Sequence, residues 1–125
     1  MNLRHWIAIG ASFGALAVVA GAFGAHGLKE RFDAKQLEWW GTAVDYHFWS
    51  VPGLLVLGFL PTSRAARAAA WCLFAGTLVF SGTLYAMALG APRWFGAITP
   101  IGGVLLIAGW LLLAWAARAF AAARG

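Results

Sequence analysis

Charge is what this sequence has least of: of 125 residues, 9 are Lys or Arg and 4 are Asp or Glu, or 10% in all, against the ~25% usual in soluble domains. A water-soluble globule is excluded. A single cysteine, Cys72, rules out both an internal disulfide and a thiolate metal site, and it reads as a small apolar side chain. Paired carboxylates, a Ser-His-Asp order, a Gly-rich phosphate loop and an HExxH pair are also lacking, so the usual signatures of catalysis are missing. The expectation is a protein that is not an enzyme and holds no cofactor and no metal. The formal charge of +5 would raise nucleic-acid binding in a soluble domain. Here the cations sit at the ends of apolar runs, where they meet lipid headgroups, and no nucleic-acid partner is expected.

What the chain has instead is 62% hydrophobic residues, 16 glycines and 8 tryptophans. Four long uncharged runs, His5–Leu28, Tyr46–Ser63, Ala68–Pro92 and Trp94–Ala117, each approach or exceed the ~20 apolar residues that cross a bilayer as one helix. The fold class expected is therefore all-α: one integral-membrane four-helix bundle over residues 1–125, with helices at about 3–25, 42–60, 68–89 and 94–117. Short connections make each helix reverse direction, up-down-up-down, so that both termini lie on one side. Arg4, Arg64, Arg67, Arg118 and Arg124 share that side and Lys29, Arg31, Lys35 and Arg93 the other; the positive-inside rule then favours cytoplasmic termini. Arg4 ahead of an apolar stretch resembles a signal peptide, but the run exceeds the ~7–15 residues of an h-region and is read as a retained helix.

The first helix carries Gly10, Gly14, Ala17, Gly21 and Gly24 at a 4-3-4-3 spacing, which lines them along one side. In lipid, where the hydrophobic effect does not drive helices together, such a stripe is a packing seam that lets backbones approach. Asp33, with Gln36 three residues on, can cap a helix opening at Ala34. Leu37, Trp40, Val44, His47 and Val51 then repeat at helical spacing. The start of this segment reads as a short amphipathic interfacial turn, anchored by Trp39 and Trp40, that passes directly into the second helix. Pro52 lies inside that helix and is expected to kink it near Phe48–Trp49.

Five stretches then carry a resemblance: GAFGAHGL (Gly21–Leu28), TAVDYHFW (Thr42–Trp49), FSGTLY (Phe80–Tyr85), GAITPIGG (Gly96–Gly103) and Gly109-Trp110. Together they resemble the successive signatures of the YgdD-like family, domain of unknown function 423, over nearly the whole chain. The resemblance implies a small four-helix protein of the bacterial inner membrane, with relatives among eukaryotic transmembrane proteins, and implies no activity. One departure stands out. The family usually has a Tyr-Gln pair and then a histidine in the second helix, whereas this chain has Tyr46-His47 and Ser50 at the histidine position. A role for that histidine would be lost here or moved one turn back to His47.

Alternating helix directions would bring His26, Asp45, Tyr46, His47, Tyr85 and Thr99 into one leaflet, with Tyr85 and Thr99 roughly 7–10 Å below the interface. Two readings of this polar cluster stand side by side. In one it is a pocket that binds a headgroup, proton, metal or quinone-like ligand. In the other, these are ordinary interfacial and hydroxyl residues satisfying helix backbones. Asp45 and His47 lie about 200° apart on a helix, so both cannot face inward, and His47 shares the apolar stripe. Small multidrug exporters are similar in length and helix count but carry a glutamate in the first helix, which here has no acid. Two function classes follow: a structural or accessory protein packing through small-residue seams against a larger membrane complex or itself, and a small-molecule or proton-coupled binder or transporter using the polar cluster.

Overall fold

The computed structural model describes residues 2–124; Met1 and Gly125, which bound the expected domain, lie outside the described residues, as does the side chain of Ala123. The chain forms an all-α bundle of four helices, α1 (His5–His26), α2 (Ala34–Leu57), α3 (Arg64–Ala88) and α4 (Thr99–Arg124), with a single 3-10 turn (Arg93–Ala97) before α4. Three helical segments, His5–His26, Arg64–Ala88 and Arg93–Ala122, are long and apolar enough to cross a membrane. α2 falls short of that measure because Glu38, Asp45, His47 and Ser50 dilute its apolar residues.

The helix ends follow local chemistry that apolar runs do not reveal. α2 opens at Ala34 because the Asp33 carboxylate accepts the Gln36 backbone N–H at 2.8 Å while the Gln36 side chain accepts the Asp33 N–H at 2.9 Å. This reciprocal capping box makes the interfacial segment and the second helix one continuous rod, running unbroken through Pro52. α3 begins four residues earlier than the apolar run, at Arg64, because the Ser63 hydroxyl accepts the Ala66 N–H at 3.1 Å. Beyond α3, Gly90 takes φ of +112°, a conformation that side-chain-bearing residues resist. Pro92 then starts the 3-10 turn, which occupies the place expected for the first turn of the fourth helix, and α4 itself runs on to Arg124.

Successive helices meet in reversed register. Gly10 faces Leu54, Gly14 faces Val51, Gly21 faces Val44 and Gly24 faces Trp40. The small-residue stripe of α1 is thus filled by α2, and Ala17 within it is fully buried. A methyl group on Gly24 would come within 2.6 Å of the Trp40 ring. α2 meets α3 with Gly53 opposite Leu73 and Ala43 opposite Ser81. The closest backbone approach lies between α3 and α4. A methyl on Gly76 would sit 2.9 Å from the Leu106 amide, one on Gly109 3.0 Å from the Leu73 amide, and one on Gly102 against the Phe80 backbone.

α2 and α3 form a central pair. α1 lies along α2 and reaches α3 through Trp6, which packs edge-on against Trp71 and Phe74. α4 lies along α3 and reaches α2 where Trp110 abuts Gly53. Trp6, Leu54, Leu57, Leu73 and Leu106 form the main core. The outer surface is as apolar as the inner: Phe59 is 77% exposed and Leu111 66%. In water such a surface would aggregate, whereas in a bilayer it is the face that lipid wets.

Candidate functional site

Of the six residues of the expected polar cluster, four separate into three places and two stand apart from all of them. His47 is the buried one, 8% exposed. Its Nδ1 shares a hydrogen bond of 3.0 Å with the Tyr85 hydroxyl, and its ring lies perpendicular to Phe13 at 5.4 Å. One side chain of α2 therefore touches both α1 and α3. Trp40 closes the same layer: its indole N–H donates to the Ala20 carbonyl at 2.8 Å, and its ring meets Tyr85 at 4.7 Å.

Thr99 belongs to a second place, between α3 and α4. It is 8% exposed, shares a 2.6 Å hydrogen bond with Thr83, and donates to the Phe95 carbonyl at 3.2 Å. With Thr99 donating to Phe95, the Thr83 hydrogen goes to Thr99; when Thr99 instead donates to Thr83, the Thr83 hydrogen goes to the Val79 carbonyl at 2.7 Å. Tyr46 faces a third place. Its ring packs on Phe80 at 4.5 Å and forms one wall of a groove of about 500 Å³ between α2, α3 and α4, lined also by Trp49, Ser50, Leu106 and Trp110.

His26 and Asp45 join none of these. Both are exposed, and among the described residues neither forms a hydrogen bond or an ion pair. His26 is the last residue of α1, and Asp45 helps line a shallow groove of about 240 Å³ between Gly21, Gly24 and Ala25 of α1 and Leu37, Trp40, Gly41 and Val44 of α2. Among the described residues, no three His, Cys, Asp or Glu side chains gather as a metal-ligand group.

Several cross-links went unseen in the sequence. Ser81 donates to the Ala43 carbonyl at 2.7 Å, and Gln36 donates across the α2–α3 boundary to the Ala88 carbonyl at 3.0 Å. Ser50 donates back to the His47 carbonyl at 2.7 Å and is 1% exposed. Trp40 reads as an interfacial anchor, yet its place in the Leu37–Val51 stripe was the signal that it turns toward α1. Every buried side-chain polar atom among the described residues has a partner. Unpaired polar groups cost several kcal/mol in lipid, so the interior is closed to free polar chemistry.

The two ends of the bundle differ in charge. One carries Arg4, Arg64, Arg67, Arg118 and Arg124 with no acid; the other mixes Lys29, Arg31, Lys35 and Arg93 with Glu30, Asp33 and Glu38. Lys35 reaches Glu38 at 3.5 Å and lies over the Trp39 ring.

Comparison with known proteins accords with this architecture. The family model described as "Protein of unknown function (DUF423)" matches residues 20–103. A UPF0382 membrane protein of Staphylococcus epidermidis is 46% identical over 121 residues, covering 95% of this chain and 99% of the relative. The UPF0382 membrane protein YwdK of Bacillus subtilis is 40% identical over 119 residues, covering 92% and 97%. One from Staphylococcus saprophyticus is 46% identical over 113 residues, covering 89% and 94%. No solved structure matches. Apolar helices of spanning length and bacterial relatives are consistent with the bacterial inner membrane. By a family match over more than half of its length and by relatives alike from end to end, the chain belongs to the DUF423/UPF0382 family of small membrane proteins, whose activity is not established.

Proposed function

We propose that the protein is a structural or accessory subunit of the bacterial membrane, crossing the bilayer four times, up-down-up-down, and acting by packing against other membrane protein rather than by catalysis. The observation that carries this reading is where the polar groups are used. The buried ones are all partnered, His47 with Tyr85, Ser81 with the Ala43 carbonyl and Thr99 with Thr83 across helix boundaries and Ser50 and Thr77 with carbonyls of their own helices, so the interior is spent on holding the bundle together, and what stays unpaired lies on the outside. Purification in mild detergent followed by native mass measurement tests it. Co-purification with other membrane protein at a fixed stoichiometry is the expected outcome; a chain that is always monomeric and bare removes the reading.

The reversed register of each helix pair supports the alternating topology, and α2, though less apolar than a spanning helix usually is, is held between α1 and α3 along its length. The interfacial turn before the second helix is proposed as the first turns of α2, where Lys35, Glu38 and Trp39 would meet headgroups while Trp40 turns in toward α1. A reporter fused after Gly125 should signal the same compartment as one inserted at residues 61–63, and a reporter at residues 29–33 the opposite one. Five cations against four favour the cytoplasm for the termini. Opposite signals from the first two sites would break the four-span topology.

One observation favours the second reading, a small-molecule binder. The groove beside Tyr46, Trp49 and Trp110, about 500 Å³ and open to lipid, has the size and apolar lining of a ligand cleft. A single lipid-like molecule retained at one per chain through purification would support it.

A further inference from the structure

Asp45 is an acidic side chain set well within the apolar part of the bundle. Val44 beside it faces Gly21 of α1, which places Asp45 five residues inside the level of His26, where α1 ends. At ~1.5 Å per residue that is about 7 Å below the helix end, too deep for a short carboxylate to reach the headgroups. The side chain is exposed, and among the described residues it has no hydrogen-bond or ion-pair partner. Its neighbours one turn away, Gly41, Thr42, Phe48 and Trp49, carry no cation. An ionisable group facing lipid at this depth is costly unless something pairs with it.

The surroundings suit close approach by a helix. A methyl on Gly41 would meet nothing within 4 Å, so the outer face of α2 one turn above Asp45 is open, beside a shallow groove where Ala25 of α1 meets Leu37 and Val44 of α2. Trp49, 67% exposed, stands one turn deeper on the same outward stripe. We propose, resting on the accessory-subunit reading, that this stripe of α2 is the docking face for a transmembrane helix of another protein that carries a lysine or arginine level with Asp45. Charge decides the occupant. The cations at Asp45's end of this chain, Lys29, Arg31, Lys35 and Arg93, all lie at or beyond the helix ends, and Arg118, six residues inside the end of α4, belongs to the opposite end, so a second copy side by side offers no cation level with Asp45, and a symmetric dimer through this face would set Asp45 against Asp45. A foreign helix with a cation supplies the missing charge, and the open space at Gly41 lets it come near enough to form the pair.

The test uses the full chain in phosphatidylcholine vesicles with dansyl-labelled leucine-alanine transmembrane peptides that lack tryptophan, read by energy transfer from the protein's tryptophans. A peptide with one lysine about 7 Å inside its interface is expected to associate roughly tenfold more tightly than the same peptide without it. Asp45→Asn should bring that preference to within about twofold, and Asp45→Glu should keep it. The substitution faces outward, and unchanged thermal unfolding of Asp45→Asn establishes that its fold is kept. Equal binding of both peptides, a preference that survives in Asp45→Asn, or self-association of the wild type that Asp45→Asn abolishes would each overturn the proposal. A native partner that co-purifies equally with wild type and Asp45→Asn would overturn it while leaving the accessory reading intact.

Discussion

Gly102→Leu is expected to split α4 from α3 and cost about 3 kcal/mol or more, at the upper end of what overpacked sites show. Even a methyl at Gly102 would run into the Phe80 backbone, which cannot step aside as a flexible side chain could. Gly82 lies on the same helix pair but has nothing within 4 Å of where a methyl would stand. Gly82→Ala should therefore gain about 0.5 to 1 kcal/mol, the difference in helix preference between the two residues. Thermal unfolding in mild detergent compares the two directly. Opposite signs at positions 102 and 82 are the expected result; a Gly102→Leu protein as stable as the wild type would show that α3 and α4 do not pack as described.

The second large effect concerns His47 and Tyr85. Tyr85→Phe keeps the ring that packs on Trp40 but removes the hydroxyl hydrogen-bonded to His47. With a buried ring nitrogen left unpaired, the loss should be about 1.5 kcal/mol. Adding His47→Leu removes the stranded group, so the double variant should lose less than the two single losses combined, with a coupling of about 0.6 to 1.7 kcal/mol as seen between polar pairs in membranes. Strict additivity in a double-mutant cycle would mean that the pair does not interact.

Periodicity on a single helix was enough to find some of this. The 4-3-4-3 spacing of Gly10 to Gly24 marks a face whatever it packs against, and the structure fills that face with α2. The 200° between Asp45 and His47 forces one outward, and the apolar stripe chooses His47 for the inside; in the structure His47 is buried and Asp45 exposed. What depends on two helices at once was not legible. Equal depth says nothing about rotation, so His26, Tyr46, His47 and Thr99 could share a level and still face four ways. The α3–α4 seam was hidden for the same reason. Gly102 and Gly109 are seven residues apart and hence on one face, but Gly76 answers them from the other helix, and only packing brings the three together. Helix ends needed the capping chemistry of Asp33 and Ser63, which the lengths of uncharged runs do not contain.

The order of helix pairing matters for how such a protein is made. Each helix has its chief partner immediately before or after it in the chain, and α1 and α4 are not a principal pair. On the four-span topology proposed above, every helix released into the bilayer after the first would find its neighbour already there, with a contact surface ready to receive it. α2, which is less apolar than a spanning helix usually is, would then enter beside α1, whose row of small residues can take it up at once. The protein can thus be built as a growing row, with no segment held unpaired while a distant one is translated.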